Sequence, residues 1–291
     1  MYRTVLLIIL VVFISNGLFG QYYDEIKVWQ KNRLQALIAE DGWATLAGLF
    51  PLRNGKQFFG SRVNKLTFPG FAADTLGEIE VSDDKVTLKV HAGVEISVND
   101  QIISQVTLWP ANEPVVCRQG RLEWFIIQRG DRFLVRLRDT DHPAREQLHS
   151  IPYYPIDSSW RLEATFHPYE HPRILPLPNA LDMIIDGESP GYLTFSYRSN
   201  KYSLLTLDGG PEELFILFYD KTSGSETYGG GRYLYVKKPN SQGKTILDFN
   251  KSYSPPCAFT HFATCLLPPE ENRIDLNITA GEKDPHFLDD H

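Results

Sequence analysis

GYLTFSYRSNKYSLLTLDGGPEELFILFYDKTSGSETYGGGRYLYVK, residues Gly191 to Lys237, decides the fold. Period-two alternation or short apolar runs appear at Gly191–Tyr197, Tyr202–Leu207, Leu214–Tyr219 and Tyr233–Lys237, with polar or glycine-bearing turns between them. Alternation at period two puts one face of each segment on a core and the other in water, and turns this short join antiparallel neighbours. The stretch therefore predicts an antiparallel meander.

The same pattern extends outward. On the N-terminal side it predicts strands at Val63–Phe68, Glu78–Val81, Val86–Val90, Ile102–Trp109, Leu122–Arg129 and Phe133–Leu137, an irregular Asp139–Pro155, and strands at Trp160–His167 and Ile184–Ile185. On the C-terminal side it predicts Thr245–Phe249 and Ile274–Ile278. About fifteen short strands with one good helix make a mainly β chain, an antiparallel sandwich or barrel-like sheet with one N-terminal helix. That helix is expected over Tyr22–Glu40, where Tyr22, Ile26, Trp29, Leu34, Leu37 and Ile38 form an apolar stripe and Asp41-Gly42 ends it. The apolar Gly42–Leu52 segment, with Trp43, reads as a plug between helix and sheet.

Residues 1–20 have the layout of a signal peptide: Arg3, the apolar run Val5–Ile14, then small residues. The run is about half of the roughly twenty apolar residues a bilayer span needs. The expected product is a single β-rich domain, 21–291, exported to a periplasmic or secreted location, with no stable membrane span after cleavage. With net charge −7 and no basic run, a nucleic-acid partner is not expected. No phosphate-binding, dinucleotide or kinase fingerprint occurs, so no cofactor is expected.

Of Cys117, Cys257 and Cys265, the last two are close enough to pair in an oxidising compartment, leaving Cys117 as a buried small hydrophobe. Cys257, His261 and Cys265 would also align on a helix as zinc ligands, but no fourth ligand is near, and no metal is expected. Two motif matches fail chemically. Gly187-Glu188-Ser189-Pro190-Gly191 mimics a nucleophile elbow, yet Pro190 lacks the N–H an oxyanion hole needs. His167-Pro168-Tyr169-Glu170-His171 mimics a zinc helix, yet Pro168 and Pro172 bracket it.

The candidate site lies between Asp220 and Glu282. Gly229, Gly230 and Gly231 let backbone approach a ligand, and Arg232 beside them offers a fork for an acidic group. Tyr228 and Asp248 are the candidate catalytic residues, Asp248 as acid/base, and Asn250 would orient the ligand. The alternative for each is structural: a tight turn, a paired arginine, a buried loop anchor. Upstream, Arg136 and Arg138 share one strand face near Arg129, either as a solvated face or as a paired cluster; pointed toward the glycine turn, they would make the site cationic and favour an acidic ligand.

The strings DKTSGSETYGGGRYL (220–234), LDFNKSYSPPCAFTHFATC (247–265), PPEENR (268–273) and AGE (280–282) resemble the bacterial family filed as domain of unknown function 1684. The resemblance extends to Gly42–Leu49 and to the Arg129–Asp139 hairpin. It departs at Leu266-Leu267, where the family has a proline, and at His261. It implies signature positions from Tyr228 through Cys265 and no reaction. Two functions stay open: binding or hydrolysis of a small acidic or polar molecule, or a non-enzymatic structural or protein-interaction module of the cell envelope. The first requires the glycine turn, the twin-proline loop and the arginine hairpin to meet around one hollow.

Overall fold

The computed structural model describes residues 2–288. Helix α1 runs Tyr2–Ile38 without interruption, starting well before Tyr22. The apolar run Val5–Ile14 contains no proline, so nothing stops the helix before it meets the β-structure. Residues 1–20 were expected to be a signal peptide, and a cut after Gly20 would leave every α1 contact described below in place.

The first half of the chain carries β1 (Leu46–Pro51), β2 (Gly55–Phe59), β3 (Gly77–Ser82), β4 (Lys85–Val90), β5 (Ile96–Val98), β6 (Gln101–Ile103), β7 (Gln105–Trp109), β8 (Cys117–Gln119), β9 (Leu122–Arg129) and β10 (Arg132–Asp139). A short helix, α2 (Pro143–Gln147), interrupts the irregular middle. The second half carries β11 (Arg161–Pro178), β12 (Ile184–Tyr197), β13 (Asn200–Asp208), β14 (Glu213–Phe218), β15 (Arg232–Lys237) and β16 (Lys244–Asp248).

These strands form three antiparallel sheets, ordered β1-β10-β9-β8-β5-β6, β2-β3-β4-β7 and β15-β14-β13-β12-β11-β16. The expected meander is the run β12 to β15. The last sheet curls until its end strands meet, the Thr245 hydroxyl donating to Lys237 O at 2.7 Å, so it is a nearly closed barrel. Its core is Leu193, Phe195, Leu204, Phe218 and Phe249. A second core lies between the two N-terminal sheets, where the rings of Phe59, Phe68 and Trp124 pack edge to face at 5.4–5.6 Å.

Four expectations need correction. Gly42–Leu52 is more than a plug, since most of it is β1, paired with β10. Val63–Phe68 is a loop: Lys65 takes a left-handed φ of 81°, which breaks the extended run while Leu66 and Phe68 still reach the core. Ile102–Trp109 divides at Ser104 into β6 and β7. Ile274–Ile278 is not a strand: Ile274 N and Leu276 O bond the backbone of Tyr219 and Lys221, Leu276 N turns back to Ile274 O, and side chains take the last peptide groups, Ile278 N donating to Asp220 and Ile278 O accepting from Arg232. The two doubtful motifs fall inside strands. Ser189 is buried in β12 with its hydroxyl on Gly191 O, and the His167–His171 segment is part of β11, where the register shifts between Pro168 and Arg173.

Candidate functional site

The residues that the sequence groups into one site fall into three places. Arg232 opens β15 and is fully buried. Its Nη1 donates to Ala280 O, its Nη2 donates to Ile278 O at 2.9 Å, and Nη2 lies 3.3 Å from the Asp220 carboxylate, which is equally buried. Asp220 also accepts from the Thr222 hydroxyl and from Ile278 N. Arg232 is thus a structural tie between the barrel and the C-terminal strap, and a ligand has no approach to it. The glycine turn serves the same packing. Gly231 N donates to Tyr228 O, and at Gly231 φ is +83° with Pro268 Cγ 2.7 Å from where a Cβ would stand. Gly229 and Gly230 complete that turn. Tyr228 packs beside Leu37, Ala258 and Phe259, and burial raises its phenol above the usual range.

Asp248 and Asn250 stand at the end of β16, in a cluster that includes α1. The Tyr22 hydroxyl donates to Asp248 at 2.9 Å, and the Asn250 backbone N–H donates to the same carboxylate. The Asn250 side chain clamps the Asp157 peptide, accepting from its N–H at 3.0 Å and donating to its carbonyl at 2.8 Å. Burial and Asp248 push the Tyr22 phenol far above its ordinary range, so it stays protonated and donates. Asp248 borders an open cleft of about 530 Å³ along the seam between β15 and β16, where Trp29, Tyr235 and Tyr253 meet Arg161 and Lys237. Its carboxylate is already held by α1 and by its own loop, an anchor rather than a free base.

Nearby, Glu282 is fully buried and receives Arg33 of α1 at 3.0 Å, Ser254 N at 2.7 Å and the Tyr153 hydroxyl at 3.3 Å. Burial raises its carboxyl, while Arg33 and Ser254 N–H act in the opposite direction. Neither Asp220 nor Glu282 was singled out from sequence, although both sit in the quoted strings: a lone acid carries no local sign of whether it will pair, as Asp220 does with Arg232 and Glu282 with Arg33, 249 residues away.

Cys257 and Cys265 are joined in a disulfide, so neither sulfur is a free zinc ligand, and Cys117 is buried and free. The twin-proline loop that they clasp contains no cis peptide; among the described residues that geometry occurs at Trp109–Pro110. Closing so short a loop contributes roughly 2–3 kcal/mol on a chain-entropy model. Cys257→Ser with Cys265→Ser should therefore lower urea-unfolding stability by about that amount and leave Cys117 as the one thiol titratable after denaturation. Unchanged stability would remove the clasp from the fold.

The third place is the arginine face. On β10, Phe133, Val135 and Leu137 point into the N-terminal core, which turns Arg136 and Arg138 to the other side of the sheet. There Phe125, Ile127 and Leu134 pack with Leu49. Arg136 is 6% exposed, with its guanidinium over the Trp43 ring at 5.4 Å. Its Nε and Nη2 are buried with no hydrogen-bond partner, and the Arg138 Nε is likewise unpartnered. Burial and the neighbouring Arg129 and Arg138 push the Arg136 pKa down to about 10, the mark of a cation without a counter-charge. Arg138 lies over Phe125 and is partly countered by Asp41 and Glu123. Arg129 Nε donates to the Thr264 hydroxyl at 3.0 Å, which ties this face to the disulfide loop. Of the parts expected to surround one hollow, the disulfide loop touches both others, Thr264 bonding Arg129 and Ala258 and Phe259 packing with Tyr228, while Arg232 itself is sealed in packing.

Residues 146–283 match the model of a family described as "Protein of unknown function (DUF1684)". The chain is 31% identical to an uncharacterized protein of Haloarcula marismortui solved by solution NMR, over 48% of this chain and 78% of that one, with a TM-score of 0.41. No curated protein matches. The matched region contains Asp220, Arg232, Asp248, Asn250, both paired cysteines and Glu282, and it excludes Trp43 and the three arginines.

Proposed function

Because the chain belongs to the DUF1684 family of proteins of unknown function, its role has to be read from its own residues, and we propose that it is an exported binding protein for a small anion. The anion sits where the arginine face meets Trp43 and the disulfide loop. The observation that carries this reading is Arg136, a buried residue with two guanidinium N–H groups unpartnered and two like charges beside it. Burying a cation without a partner costs several kcal/mol, a cost that proteins accept where a ligand later provides the counter-charge. Binding is favoured over hydrolysis because the acid/base candidate Asp248 is engaged by Tyr22 and Asn250. The signature stretch is then the scaffold, and the first sheet supplies the recognition face. Export is supported by the leader pattern and is compatible with the disulfide.

The test is a thermal-shift and calorimetric panel of small carboxylates and phosphate on the full chain and on Arg136→Met. At a hundredfold excess over Kd an anion should stabilise the wild type by about 2.7 kcal/mol. Arg136→Met should abolish that response while its ligand-free stability stays equal or rises, since a buried unpaired charge is gone. If no anion stabilises the wild type at millimolar concentration, the reading fails.

A further inference from the structure

The donors on the arginine face constrain which anion fits. The unpartnered Nε and Nη2 of Arg136 belong to one edge of its guanidinium, the edge that meets a carboxylate with two parallel hydrogen bonds. The Nε of Arg138 is likewise buried and unpartnered. Arg136 and Arg138 are two residues apart on β10, a separation of about 6.7 Å along the strand, which suits the two ends of a four- to six-carbon chain. Around these donors the surroundings are apolar: Trp43 over Arg136, Phe125 beneath Arg138, and Leu49 opposite Arg136 in the register with β1.

Three guanidiniums, Arg129, Arg136 and Arg138, share this face, and of the two acids that act on Arg138, Glu123 is already held by Arg118 at 2.8 Å. A phosphate ion presents acceptors on all sides of a tetrahedron and is strongly hydrated. The three buried donors, pointing in two directions against aromatic walls, do not replace that shell, whereas each carboxylate needs only a fork or a single strong donor.

We propose that this face takes a small dicarboxylate with an apolar backbone, one carboxylate on the Nε–Nη2 edge of Arg136 and the other at Arg138 Nε. The proposal rests on the reading of this junction as an anion site. Trp43 forms the wall over the first carboxylate, and the Arg129–Thr264 bond holds the disulfide loop against the same face.

Isothermal titration of the full chain with succinate, glutarate, butyrate and inorganic phosphate decides it. A dicarboxylate should bind at least tenfold tighter than butyrate or phosphate. Arg138→Met should erase that advantage by weakening succinate or glutarate to the level of butyrate, and Arg136→Lys, which keeps the charge but loses the fork, should weaken every carboxylate at least tenfold. Phosphate or butyrate binding as tightly as both dicarboxylates would overturn the dicarboxylate assignment while leaving the anion site standing. Silence of all four probes would overturn both. The ranking of probes on the wild type stands even if a variant fails to fold.

Discussion

Arg232→Ala is expected to lose roughly 3–5 kcal/mol of folding stability, the range for removing one partner of a buried ion pair. The loss has three sources. Asp220 stays behind as a fully buried carboxylate facing only Thr222, Ser223 and the Ile278 N–H. The carbonyls of Ile278 and Ala280 lose their donor. A large side chain seated over the Phe218 ring at 5.3 Å leaves a cavity. Urea unfolding followed by tryptophan fluorescence measures the change. A variant of normal stability that had lost only ligand binding would restore Arg232 to the role its sequence neighbourhood suggests and remove it from the fold. Because the strap it ties has no ladder of its own, the region around Ile274–Ile278 should also lose amide-exchange protection first.

Glu282→Ala should cost about 3 kcal/mol or more by the same reasoning, and its effect should be felt at α1. Arg33 reaches this carboxylate across 249 residues of chain and also lies over the Tyr253 ring at 4.6 Å and the Phe259 ring at 5.7 Å. With the carboxylate gone, a mostly buried guanidinium loses its counter-charge and keeps only Ser254 O as acceptor, the Ser254 N–H loses its partner, and the pairs of Tyr22 with Asp248 and Glu25 with Lys251 carry more of the helix's anchoring. Limited trypsin digestion should then cut α1 at Lys27 or Lys31 at concentrations that leave the wild type intact. If α1 remains protected and stability unchanged, Arg33 and Glu282 do not anchor the helix.

The two predictions separate roles that the sequence could not. Asp248, Asn250, Arg232 and Glu282 are hydrophilic residues inside or beside glycine- and proline-rich strings, which looks the same whether they face a ligand or lock a loop. Their partners decide, and those partners are remote: Tyr22 for Asp248, Asp157 for Asn250, Ala280 for Arg232. The disulfide was legible because its cysteines are only eight positions apart. The loop at Val63–Phe68 was misread because an apolar run marks burial without marking extension, and one left-handed residue at Lys65 is enough to end a strand.

Side-chain period belongs to each segment alone, so the β-rich class, the meander from Gly191 to Lys237 and the turning of Arg136 and Arg138 to one face were all set by the sequence itself. What only the tertiary structure decided is where that face goes and which buried polar groups find partners. Arg232 meets Asp220 and the strap, while Arg136 meets Trp43, Arg129 and Arg138. Of two arginines in similar strand contexts, one becomes a lock and the other keeps buried N–H groups without partners, because hydrogen bonds and counter-charges are satisfied across space, and spacing along the chain does not encode that distance.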